Sequence, residues 1–175
     1  MVLLGCLMST LAKAQKVAPK LENNHPFVIC KAQVMEQDSV FYLVPQLTIT
    51  DKKQSIQLHK TICYYPYQLS PGFCEGSFIV QKKVRYSYMN ISMNRLFHPA
   101  YDEGYLQLRR YGYGDRLKDS VNLGFYFPFE VGATYRLMLD MQYYYKGKSY
   151  TAEAEWVEFS IPYLPKNSPY NMRED

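Results

Sequence analysis

From Pro26 onward, apolar and polar residues alternate with a period of two, and no stretch sustains the 3.6-residue period of an amphipathic helix. Alternation sends successive side chains to opposite faces of a strand, so each run predicts a half-buried strand. The first, 27–36, puts Val28, Cys30, Ala32 and Val34 on one face. The second, 39–50, offers Phe41, Leu43, Leu47 and Ile49, and Pro45 between them marks an edge or a bulge because proline cannot donate to a ladder. The third, 55–63, turns Ile56, Leu58 and Ile62 inward. Along 77–93 the apolar parity slips from Phe78, Val80, Val84, Tyr86 and Tyr88 to Met89, Ile91 and Met93, the mark of a bulge or of a strand crossing between sheets. Strands follow at 105–111 and, on Val121, Leu123, Phe125 and Phe127, at 121–127. A long hairpin ends the series. Tyr135, Leu137, Leu139, Met141 and Tyr143 share one face, and Lys146 with Gly147 supplies a tight turn. The return run carries Tyr150, Ala152, Ala154 and Trp156, then switches parity to Val157, Phe159 and Ile161.

About eight strands separated by turn signals predict one all-β domain over 26–162, a single antiparallel β-sandwich, with an up-and-down β-barrel as the alternative. Residues 15–25 read as a flexible N-terminal segment and the proline-punctuated 163–175 as a polar tail. Phe129, Val131, Gly132, Tyr135, Leu137 and Leu139 resemble the approach to the penultimate strand of immunoglobulin-like and fibronectin type III sandwiches. The resemblance spans about 129–161 and implies a tyrosine corner, with Gly132 ahead of Tyr135 and the tyrosine hydroxyl bonded back to upstream backbone. Val131 stands where that motif commonly has proline. The resemblance carries a fold and no activity.

Ahead of this domain, Val2 to Leu11 is apolar and Ala12, Lys13, Ala14 forms a small-residue cleavage pattern, so 1–14 reads as a secretory signal cut before Gln15. No Lys or Arg precedes the apolar stretch. A second parse takes Leu3, Leu4, Gly5, Cys6 as a lipoprotein box with a lipid anchor on Cys6, which would make an outer-membrane lipoprotein. The apolar run is too short for a permanent transmembrane segment. Export places the chain in the periplasm, at the cell surface or outside the cell, where an oxidising compartment permits one bridge. Cys63 and Cys74 flank a turn-rich segment and are the expected pair, leaving Cys30 buried and reduced on its inward strand parity.

Composition sharpens this picture at two points. Eighteen tyrosines favour strands and half-exposed packing. A net charge of +4 is too small and dispersed to imply nucleic acid. No GxSxG, HExxH, CxxC or glycine-rich phosphate loop occurs, so no catalytic residue, metal or cofactor is assigned. The pairs Asp102 with Glu103 and Asp115 with Asp119 match no calcium loop. Two aromatic clusters are the candidate ligand-binding residues: Tyr64, Tyr65 and Tyr67 among prolines, and Arg109, Arg110, Tyr111 and Tyr113 at a strand end. The expected function is an exported, non-catalytic binding or structural module of a bacterial cell envelope or surface assembly, acting on a protein partner. The alternative is a carbohydrate-binding module using those tyrosines on a glycan.

Overall fold

The first two runs fold back on each other as a hairpin, β1 (Val28–Gln37) with β2 (Val40–Ile49), in one continuous register from Val28 opposite Ile49 to Gln37 opposite Val40. A computed structural model of the protein describes residues 24–60, 62–66, 76–93 and 107–162. The predicted signal, Cys6, Tyr67, Cys74, Asp102, Glu103 and the C-terminal tail lie outside the described residues. Asp38 and Ser39 both take positive φ, 51° and 63°, the geometry that closes a two-residue hairpin without splaying its strands. Pro45 sits opposite Ala32 with no bulge. The bond from the Thr50 N–H to the Phe27 carbonyl sets the phase of the ladder, so the Pro45 nitrogen faces away from β1. On that side β8 (Val121–Asn122) pairs only with Tyr42 and Leu43, and β2 is an edge beyond them.

The larger sheet is organised on β9 (Thr134–Tyr145). One side of β9 pairs first with β10 (Lys148–Glu153) and then with β11 (Val157–Ser160). The other side pairs with β5 (Gly76–Val84) and, beyond it, with β3 (Ser55–His59), whose far edge takes β7 (Leu108–Gly112). β5 also pairs with β6 (Ser87–Asn90) and, in parallel, with β4 (Tyr64–Pro66). Among the described strands both sheets are open, which excludes the closed barrel. The protein is an all-β sandwich, and the parallel pairing of β4 with β5 makes the large sheet mixed rather than purely antiparallel.

Two parity slips have local causes. The slip in 77–93 is a hairpin: Arg85 takes φ 55° in a two-residue loop and Tyr86 stands fully exposed, where a bulge or a crossing was expected. The slip in the last run is a bulge. Glu153 pairs with Asp140, yet Val157 pairs with Leu137, so four steps on one strand answer three on the other. That extra residue carries Trp156 outward to 38% exposure, away from the core face its alternation implied. The run 121–127 is also corrected: after β8 the chain forms a 3-10 turn, Leu123–Phe125, held by the Asn122 side chain on the Gly124 N–H, and Phe125 is exposed.

The core lies between the sheets, where β1 crosses β9, β10 and β11. Val28, Cys30, Leu43, Leu47 and Ile49 from one side meet Ile56, Leu58, Phe78, Leu137, Leu139 and Met141 from the other. Full burial of each such side chain contributes about 1.5–3 kcal/mol. Tyr135 seals one end: its hydroxyl accepts the Glu130 N–H at 2.8 Å, five residues upstream, and its ring stacks on Phe159 and meets Phe129 edge-on. Gly132, at φ 76°, makes the turn that allows this, and its N–H donates to the Ile161 carbonyl. Gly76 is required for a different reason, since a Cβ there would overlap the Tyr64 ring laid across it.

Candidate ligand-binding surfaces

Among the described members of the two aromatic clusters, Tyr64, Tyr65 and Tyr111 are buried and Tyr113 is exposed. Tyr64 and Tyr65 are buried in β4, with the Tyr64 hydroxyl donating to Asp119 Oδ2 at 3.4 Å. Burial, reinforced by Asp119, pushes the Tyr64 phenol far above its usual value. Tyr111 is buried as well. Its hydroxyl donates to the Leu47 carbonyl at 2.6 Å and lies 3.0 Å from the Asp115 carbonyl, tying the large sheet to the small one. Burial and then Asp115 push its phenol up to about 12. Neighbours on a strand face opposite ways, so Arg109 and Arg110 are exposed on different faces of β7 and cannot grip one ligand. Tyr113 is 55% exposed in the turn at Gly112, with the Lys52 ammonium 5.2 Å above its ring. Asp115 and Asp119 have protein partners, the first accepting the Gly112 N–H at 2.7 Å and the second the Tyr64 hydroxyl. Among the described residues no group of three or more His, Cys, Asp or Glu could hold a metal.

Cys30 is buried and reduced, and burial pushes its thiol up to about 12, with Asp140 adding to the effect. Such a thiol is no nucleophile. Asp140, opposite Glu153 on the outer face of β9 and β10, is the described carboxyl that departs most from ordinary behaviour. Its Oδ1 is buried without a protein hydrogen-bond partner, and desolvation, then Glu153, raise its pKa to about 6. A carboxyl raised in this way gives up its proton less readily than a solvated one. Ser77 on β5 stands opposite Asp140, and Glu153 lines a groove that also reaches Cys30, whose raised thiol is a poor nucleophile.

The described surface carries several depressions, three of which are defined by described residues. A groove of about 540 Å³ runs between β1 and the bulged edge of β10 and β11, lined by Val28, Cys30, Ala32, Glu153, Trp156 and Val157. The ladder phase that turns Pro45 outward also points the N–H and C=O groups of Cys30, Ala32 and Val34 away from β2, and no described strand pairs with that side of β1. Only Val28 is closed off, by Asn24 on its carbonyl and His25 on its N–H. At the groove's rim the Arg136 guanidinium is sandwiched between Trp156 and Tyr88, 4.2 and 4.0 Å from the two rings. A second cleft, about 440 Å³, opens on the outer face of the large sheet around Arg110, Gln57 and Tyr144. A third, about 340 Å³, is lined by Tyr42, Cys63, Tyr65 and Phe125.

The free strand edge carried no signal in the sequence, because pairing partners are set by topology and alternation reports only faces. No helix among the described residues is long and apolar enough to cross a membrane. Comparison with known proteins found no matching family model, no matching curated protein and no matching solved structure.

Proposed function

We propose that this chain is an exported, non-catalytic binding module of a bacterial cell envelope or surface assembly, and that it acts by taking an extended segment of a protein partner along β1. The observation that supports this reading is the contrast among the sandwich's edges. Native sheets blunt exposed edges with proline, bulges or charge. The far edge of β2 carries Pro45, and the edge of β10 and β11 is broken by the bulge before Val157. β1 carries neither proline nor bulge over ten residues, and its one cation, Lys31, lines the groove together with Glu153 and Glu155. Strand addition supplies main-chain hydrogen bonds for affinity and side-chain pockets for register.

Ala32→Pro tests this reading without dismantling the fold. The Ala32 N–H points to the free edge, so proline removes no bond to β2 but blocks any added strand. Photo-crosslinking from Ile29 in the producing cell is expected to capture one defined partner with the parent chain and none with Ala32→Pro. The chain's single tryptophan, Trp156, lies in the groove wall, so its fluorescence should report the same event. Equal capture by both chains would overturn strand addition. Hydrolysis of ester, glycoside or peptide substrates by the purified chain, lost on Asp140→Asn or Glu153→Gln, would overturn the non-catalytic reading. Intact mass is expected to give a mature chain beginning at Gln15; an acylated Cys6 would move it to the lipoprotein class.

A further inference from the structure

The cleft on the outer face of the large sheet is assembled by register. Arg110 on β7 stands opposite Gln57 on β3, and Gln57 stands opposite Tyr144 on β9, so the three form one row across three strands. With strands about 4.8 Å apart the row is about 10 Å long, close to the length of a disaccharide. Lys53 and Gln54 from the turn ahead of β3, and Lys146 from the β9–β10 turn, close its ends.

The lining is rich in donors and poor in acceptors. Lys53, Arg110 and Lys146 line the cleft and no carboxylate does. No described carboxylate forms an ion pair with any of the three; the nearby Asp51 accepts the backbone N–H of Lys53 instead. Arg110 is held in place through its Nε, which donates to Ser55 Oγ at 2.9 Å and leaves its terminal nitrogens for a ligand. Gln54 is oriented in the same manner. Its Oε1 accepts the Tyr145 hydroxyl at 2.7 Å, so its amide nitrogen is the end left to donate. Gln57 is exposed, and Tyr144 offers a half-exposed ring whose hydroxyl lies 3.4 Å from His59 Nε2.

From this arrangement we infer that the cleft binds an acidic saccharide, one whose sugar rings carry carboxylate or sulfate. Arg110, with Lys53 and Lys146 around it, takes the anionic group in charge-assisted bonds. Gln54 and Gln57 take ring hydroxyls, for which amides serve as both donor and acceptor. Tyr144 covers an apolar sugar face. The residues are distinct from those of the β1 groove, so the two proposals stand or fall separately.

The test is calorimetric titration of the full chain with oligogalacturonate, a sulfated heparin-derived oligosaccharide, a neutral cello-oligosaccharide, polyglutamate and single-stranded DNA. At least one acidic saccharide is expected to bind, more weakly as salt rises. Arg110→Ala is expected to weaken it about tenfold, the loss of one charge-assisted contact. Gln57→Ala, which leaves the cleft's charge intact, should cost a smaller but measurable factor, and Lys118→Ala, a cation outside the cleft, should cost nothing. These positions are exposed, and circular dichroism checks that each variant folds. Equal binding of polyglutamate or DNA, equal binding of the neutral oligosaccharide, no binding at all, or indifference to Arg110→Ala would each overturn the assignment.

Discussion

Tyr111 illustrates how this chain uses its tyrosines. The ring fills the core and the hydroxyl reaches the Leu47 carbonyl, a group on the opposite sheet and 64 residues away in sequence. Tyr111→Phe keeps the ring and strands that carbonyl, and is expected to destabilise by about 1–2 kcal/mol in urea denaturation. An unchanged midpoint would show that the bond contributes nothing. A second residue-scale expectation concerns Asp140. Its folded carboxyl titrates near 6, whereas an unfolded aspartate titrates near about 4. The folded state therefore binds this proton more tightly, and the stability this contributes is full below about pH 4 and lost as pH rises through about 6. Asp140→Asn is expected to flatten that slope and raise stability at about pH 7.5 by about 1 kcal/mol, a figure reduced for partial exposure. Parallel pH profiles for the two chains would refute it. Neither residue was legible beforehand. Tyrosine is at home on both sides of a surface, and the partners of Tyr111 and Asp140 come from distant strands that no local pattern names.

At the scale of elements, legibility followed turn chemistry. The β9–β10 hairpin could be read because Gly147 sits beside Lys146 in a two-residue loop, and both residues take positive φ, 76° and 48°. The Arg85 loop has the same need for positive φ but no glycine or asparagine, so β5 and β6 read as one strand with a slipped parity. The parity of the buried residues on β2, β3 and β9 was legible because one face of each meets the core, where a one-residue slip would expose every apolar side chain. Left-handed conformations cost side-chain-bearing residues about 1–2 kcal/mol each. Arg85→Gly is therefore expected to stabilise the protein by about 1 kcal/mol, read from the urea midpoint; a loss of stability would mean that the arginine makes contacts worth more than its strain. Gly76→Ala should act in the opposite sense, by forcing the Tyr64 ring out of its place and loosening the parallel pairing of β4 with β5.

For the whole molecule, class was legible and connectivity was not. Alternation announces sheets, while the choice of β9 as common partner for β3, β5, β10 and β11 depends on packing among segments far apart in the chain. That choice has a temporal side. A ribosome delivers this chain from the amino end, so β3 and β5 emerge well before the strand that unites them. Until Tyr145 has cleared the exit, the large sheet has no spine, and the hairpin of β1 and β2 has nothing to pack against but loose partners. Sheets closed by such distant pairings form slowly. A chain truncated after Ala133 is accordingly expected to show no slowly exchanging amides by hydrogen exchange, and protection in its β1–β2 region would disprove this order. Because β9 follows both β3 and β5 in the chain, the large sheet can close only after its common partner strand has been made.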